Sequence, residues 1–191
     1  MAKQLPPGHI LTPEVRLSFP ALFKPKPRFR GADENKLTYQ ATLLIPPDCD
    51  LTPFREAMKA AIFAKWEKMV VLPAKGNPIH PCAEKPDLDG YDEGWHYIAC
   101  HSQRPPGVVD RNNVPLSDET RVYPGVWAKA YINAFAWDHP VGGRGVSFGL
   151  NGIQIVRDDE RLGGGAMNVA DVFEPLGEQE TGGGLNEEMF R

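Results

Sequence analysis

The 191-residue chain has too few cysteines for a disulfide framework, since Cys49, Cys82 and Cys100 are odd in number and show no CxxC spacing. Long hydrophobic runs are missing as well. No stretch approaches the roughly 18 apolar residues of a membrane span, and the opening MAKQLPPGHI lacks the apolar segment of a signal peptide. These absences predict a soluble protein of a reducing cytoplasm with no membrane partner. No repeat of solenoid length is visible, so one core is expected rather than an array, and a hydrophobic content of 41% is enough to build it. The phosphate-loop string GxxxxGK[ST] does not occur, and the glycine runs near the end lack a strand-to-helix setting.

Positive charge is also short overall, with a formal net charge of −4 that argues at first against a nucleic-acid partner. Its distribution changes that conclusion. Residues 171 to 191 hold six acids against Arg191, a net −5, which leaves 20 Lys and Arg against 19 Asp and Glu in residues 1 to 170. The acidity belongs to the tail, and within the body the bases cluster most densely in KPKPRFR at 24 to 30.

Five segments carry strand patterning. VRLSFPALF (15 to 23) puts Val15, Leu17 and Phe19 on one face against Arg16 and Ser18, until Pro20 interrupts it. KLTYQATLLI (36 to 45) is a second strand, and the basic KPKPRFRGADEN between the two reads as a connecting loop. WHYIACHS (95 to 102), VWAKAYINAFAW (126 to 137) and GVSFGLNGIQIV (145 to 156) complete the set. One helix is predicted over 53 to 69, with Thr52 as N-cap, Pro53 in the first turn, and Phe54, Met58, Ala61, Ile62, Trp66 and Met69 at helical spacing. Residues 73 to 94 are rich in Pro, Gly and Asp and read as a long functional or mobile loop. The whole is a mainly β pattern, a five-stranded small barrel or sandwich with one amphipathic helix. After residue 160, two GGG runs bracket an acidic stretch, which predicts a flexible tail over 161 to 191.

The segment 126 to 137 holds the most informative pattern. Alternation gives one face to Val126, Ala128, Ala130, Ile132, Ala134 and Ala136, and the other to Trp127, Lys129, Tyr131, Asn133, Phe135 and Trp137. Small residues suit the interior of a tightly curved barrel, so the aromatic face is expected outside. Exterior aromatics beside basic groups match the way single-stranded nucleic acid is held, with bases stacked on rings and phosphates on Lys and Arg. Two other readings of the same face are cover by the helix and a subunit interface.

Enzyme-like signals are incomplete. His80, Cys82, His96, Cys100 and His101 are zinc-capable types, but HPC at 80 to 82 lacks the second thiolate of the deaminase half-motif. DLDGYDEG (87 to 94) gathers Asp87, Asp89, Asp92 and Glu93, an alternative reading as a metal-dependent nuclease, yet the glycine is one position early for a calcium loop and all the acids share one loop. No metal and no cofactor is expected.

Together, RLSFPALFKPK, YQATLLIP, YIACHSQRPPGVVD, YPGVWAKAYINAFAW and FGLNGIQIVRDDERLGGG resemble the acidic-tailed OB-fold single-stranded DNA-binding proteins of tailed bacteriophages. The resemblance covers most of residues 14 to 191 and rests on strand and loop patterns rather than catalytic signatures. It implies a non-enzymatic OB-fold domain over residues 1 to 160 that binds single-stranded DNA during replication or recombination in the infected bacterial cell. Lys24, Lys26, Arg28, Arg104 and Lys129 are the expected phosphate contacts, and Tyr39, Trp127, Tyr131, Phe135 and Trp137 the expected stacking residues. The resemblance further implies a tail that docks phage or host replication proteins through Glu187, Glu188, Met189 and Phe190, and is compatible with self-association on DNA. A phage structural or interaction protein, binding another protein through the aromatic face, is the remaining alternative.

Overall fold

The computed structural model describes residues 4–28, 31 and 33–163. Phe29, Arg30 and the tail residues Glu187, Glu188, Met189 and Phe190 lie outside the described residues.

Among those described, eight strands and one α-helix follow in chain order: β1 His9–Leu11, β2 Val15–Pro27, β3 Leu37–Ile45, α1 Thr52–Trp66, β4 His80–Pro81, β5 His96–Ser102, β6 Gly107–Val109, β7 Trp127–His139 and β8 Gly143–Arg157. Strands β2, β3, β5, β8 and β7 are neighbours in that order, and β7 pairs back onto β2. That ring is a closed five-stranded OB barrel, antiparallel throughout except for the parallel β5–β8 step. The expected five strands are the barrel; β1, β4 and β6 are short additions that the sequence reading did not contain. β1 and β2 share the edge of β7, and buried Thr12 between them keeps the edge continuous by accepting the Ala130 N–H at 2.9 Å on its hydroxyl.

Up to Ile132 the inner face of β7 is as the alternation predicts, while Ala134 and Ala136 further along are only half-buried. Ala128, Ala130 and Ile132 are fully buried, while Trp127, Lys129, Tyr131, Phe135 and Trp137 alternate with them on the outside. On β8 the partner of Tyr131 is Gly152 but the partner of Ile132 is Leu150, so β8 carries one extra residue there. This bulge lets Val146, Phe148 and Leu150 and then Ile153 and Ile155 all face inward; strict alternation would turn the last two outward.

Strand β2 departs from its expected pattern for the same reason. Ser18 opposes Thr42 and Ala21 opposes Gln40, so β2 has one residue too many at Phe19–Pro20. Ser18 is buried and Phe19 is 57% exposed, the reverse of the period-two reading. The strand also continues through Lys24–Pro27 instead of opening into a loop, and Pro20 and Pro25 fall where the ladder is interrupted, so their missing N–H groups cost no bond.

Helix α1 starts one residue earlier and ends three earlier than expected. Thr52 is not its cap; the Asp50 carboxylate accepts the Thr52 N–H at 2.8 Å, and Glu67 in a left-handed conformation stops the helix before Met69. Its buried residues Phe54, Ala57, Ala61 and Ile62 lie over one end of the barrel, where the Phe54 ring meets Phe148 edge-on at 6.3 Å. Residues 73 to 94 are no open loop. β4 pairs with β5, and Cys82 and Tyr91 cover Leu44 and Tyr97 on the outside of the barrel as a second apolar cluster. Among the described residues no helix is long and apolar enough to cross a membrane.

Because Phe54 is fully buried and joins helix to barrel, Phe54→Ala should lower unfolding free energy by about 3–5 kcal/mol in urea titrations. A loss below about 1 kcal/mol would mean that α1 contributes little to the core.

Candidate nucleic-acid interface

The register defines which outward side chains share a row. Gln40 pairs with His101 and Thr42 with Ala99 across β3–β5; His101 then meets Gly149 of β8, which meets Asn133 of β7. Phe135 sits one outward position along from Asn133, and its ring contacts His101 edge-on at 6.0 Å. The outer surface therefore runs without a break from β3 to β7, with glycine at its centre. A Cβ at Gly149 would lie 2.7 Å from Asn133 Oδ1, so a side chain there would have to displace the Asn133 carboxamide.

Over β3 and β5 this surface deepens into an open groove of about 850 Å³. Its lining takes Lys26 and Arg28 from the end of β2, Lys85 and Tyr91 from the segment before β5, and Gln40 and Thr42 from β3. Lys85 is steered by the second apolar cluster: its ammonium lies 4.3 Å above the Tyr97 ring. The Tyr91 hydroxyl donates to Ser18 Oγ at 3.4 Å, which ties the covering loop to the bulge of β2. Among the described residues lining the groove, Lys26, Arg28 and Lys85 carry positive charge and Glu34 negative charge, and none of these three bases has a carboxylate within ion-pair distance. Cations without a carboxylate partner that line one concave surface make a positive trough.

His101 lies at the groove's inner end. The Arg28 guanidinium sits 3.4 Å from its Nδ1, and Arg can only donate, so Nδ1 accepts and the ring proton rests on Nε2. Burial first, and the Arg28 charge second, push the His101 pKa down to about 4. The ring is therefore neutral near pH 7.

The residues expected from sequence divide between this groove and the rest of the surface. Lys26 and Arg28 line it, and Phe135 joins it through His101. Lys24 points toward a neighbouring loop and pairs with Glu119 at 3.3 Å. Tyr39 alternates with Gln40 and so occupies the opposite face of β3 from the groove floor. Arg104 is exposed two residues beyond β5, its N–H donating to Ser102 Oγ at 3.1 Å. Tyr131 is bonded to His9 of β1 at 2.8 Å, and Lys129 lies outward opposite Gln154. Both tryptophans of β7 are already engaged by the protein. Trp127 donates to Asp159 at 2.6 Å and carries the Arg157 guanidinium 4.0 Å over one face, while Trp137 donates to Ser147 at 3.0 Å and lies on Gly145. Sequence reasoning missed Phe19, Gln40, Thr42, Lys85, Tyr91 and His101. The one available signal was the long 73–94 segment, flagged as functional, which supplies Lys85 and Tyr91.

The enzyme-like strings do not assemble. Among the described residues no three His, Cys, Asp or Glu side chains come together as a metal-holding group, and Asp89 accepts the Gly163 N–H at 2.9 Å. Gly145-Val146-Ser147-Phe148-Gly149 has the GxSxG spacing of a nucleophile elbow, but it runs along the middle of a strand and Ser147 accepts from Trp137.

A closed OB barrel with a basic groove across its second and third strands belongs to the class of oligonucleotide- and oligosaccharide-binding modules. Within that class the chain belongs to the family of the single-stranded DNA-binding protein of Enterobacter phage Enc34, whose family model matches residues 8–183. It is 30% identical over 171 residues, 85% of this chain and 90% of the relative, to putative protein p50 of Acyrthosiphon pisum secondary endosymbiont phage 1. The fold is also that of the bacteriophage Enc34 single-stranded DNA-binding protein solved in complex with single-stranded DNA, with a TM-score of 0.70, 23% identity, and 85% and 97% of the two chains covered. A more distant likeness is to gp2.5, a single-stranded DNA-binding protein encoded by bacteriophage T7, at TM-score 0.56 and 17% identity over 93% and 98% of the chains.

The depressed pKa of His101 fixes a pH dependence. The folded state favours the neutral ring, so its stabilising contribution is complete above the unfolded value near about 6.5 and is lost as pH falls through about 4. An NMR titration should place the His101 midpoint near 4, with Arg28→Ala raising it; a midpoint at the ordinary histidine value would contradict the packing described.

Proposed function

We propose that the chain binds single-stranded DNA without strong sequence preference in the groove over β3 and β5, coating strands exposed during phage replication or recombination. The observation that carries this reading is the set of three cations, Lys26, Arg28 and Lys85, lining one open trough on the ligand face of an OB barrel. Membership of the Enc34 family supports it. A single strand fits because its phosphates can follow cations on the rims while unstacked bases turn toward the floor, which a duplex cannot do. Phe135, in contact with His101, offers a ring at the end of the groove, and Tyr131 and Lys129 extend an outward track along β7. The acids Asp87, Asp89 and Asp92 have no part in this reading, which is binding without catalysis.

The acidic tail enters as a competitor. Its net −5 charge over residues 171 to 191, joined through glycine-rich segments, reaches roughly millimolar effective concentration at the groove and opposes DNA there, while Glu187, Glu188, Met189 and Phe190 serve as a docking motif for replication proteins.

Replacing Lys26, Arg28 and Lys85 together by Ala should weaken oligo-dT binding and flatten log K against log[salt] by about 0.7 per lost phosphate contact. An unchanged slope would remove the groove from the binding path. Deleting residues 171 to 191 should tighten oligo-dT binding most at low salt, where charge is least screened; equal affinities for full-length and truncated protein at low and high salt would exclude competition by the tail.

A further inference from the structure

Phe19 occupies a position that is unfavourable for the fold in two independent ways. The residue is 57% exposed in the middle of a barrel strand, between Ser18 at 3% and, beyond half-buried Pro20, Ala21 at 6%. Its backbone has φ 48, a left-handed conformation that bulky side chains rarely adopt. The surrounding geometry explains the conformation. Phe19 is the extra residue of the β2 bulge, and in bulges whose first residue is left-handed that residue is ordinarily glycine. Glycine would adopt the same φ without a clash and would leave no apolar ring in water. Nothing in the packing of the barrel calls for phenylalanine.

The groove supplies the missing reason. Phe19 lines it beside Gln40 and Thr42, on the same strand that carries Lys26 and Arg28 into its wall. The bulge turns the ring out of the core and into the trough, and the Tyr91–Ser18 hydrogen bond at 3.4 Å holds the adjacent residue in place. Strained backbone and exposed aromatic surface coincide at a ligand-facing wall, where such outliers are characteristically kept.

We propose that Phe19 is the base-stacking platform of the groove: the bulge presents its ring to one unpaired base while the adjoining phosphates lie along Lys26 and Arg28. The proposal rests on the groove being the single-strand site. It makes Phe19 a determinant of selectivity, because a base already paired and stacked within a duplex offers its face to no ring, whereas phosphate contacts are common to both forms.

The test compares Phe19→Ala, Phe19→Gly and Phe19→Trp with the unaltered full-length chain, using oligo-dT and a duplex of equal length across a salt series, with thermal unfolding of each variant. Phe19→Ala and Phe19→Gly should weaken oligo-dT binding about five- to a hundredfold while leaving the salt slope and the affinity for duplex unchanged. Phe19→Trp should retain most of the affinity, and Phe19→Gly should not lower the melting temperature. Wild-type oligo-dT affinity in Phe19→Gly, equal losses for Phe19→Trp and Phe19→Ala, or a parallel loss on duplex would each overturn the stacking role while leaving the groove standing. Failure of the unaltered chain to bind oligo-dT at low salt would overturn the single-strand reading itself, and the stacking role with it.

Discussion

Five strands close into a ring only if the space they enclose is filled by side chains small enough for its curvature, and the rest of this molecule follows from that constraint. Ala128 and Ala130 of β7 answer it, both fully buried, with Phe148 supplying the bulk from β8. Once the small residues of β7 are committed inward, alternation sends Trp127, Lys129, Tyr131, Phe135 and Trp137 outward. β8 accommodates them with glycine at the outward positions opposite: Gly152 by Tyr131, Gly149 by Asn133 and Gly145 by Trp137. The low floor that results is what allows the outer surface to continue from the groove to β7.

Closure also requires strands to bend, and the register shifts along β2 and β8 include two single-residue insertions, at Phe19–Pro20 and at Asn151, with separate consequences. In β8 the insertion preserves the core by keeping Ile153 and Ile155 inward. In β2 it sacrifices the burial of Phe19 and aims that ring at the trough, just before the strand rises to carry Lys26 and Arg28. The part of the groove that carries Lys85 is built differently, from a covering segment held by Leu44, Cys82, Tyr91 and Tyr97, so that the position of Lys85 depends on apolar packing outside the barrel.

What was legible in the sequence was whatever depended on regular alternation. The five barrel strands, the inward alanines of β7, the outward aromatics and the helical stripe of α1 all follow from period and residue size. What was not legible depended on a change of register. Phe19 reads as inward because Val15 and Leu17 are, and no local signal except Pro20 marks the inserted residue. Lys24–Pro27 read as a loop because prolines suggest one, although they sit where the ladder is already broken. Tyr39 was a reasonable aromatic candidate on the correct strand but on its other face, and Trp127 was on the correct face but already holds Asp159 and Arg157. Composition could nominate these rings; only pairing and partners could say which remain available to a ligand. Lys85 lies in a segment that reads only as a long loop, and His101, a zinc-capable type by sequence, acquires its setting from Arg28, far away in the chain.

The proposed path takes single-stranded DNA across β3 and β5 rather than along the far end of β7. Ultraviolet crosslinking of oligo-dT to the full-length chain, followed by mapping of the modified residues, tests it directly. Adducts at Phe19, Tyr91, His101 or the Lys26–Arg28 segment are the predicted result. Adducts confined to Trp127 through Tyr131, with the groove residues unmodified, would contradict it.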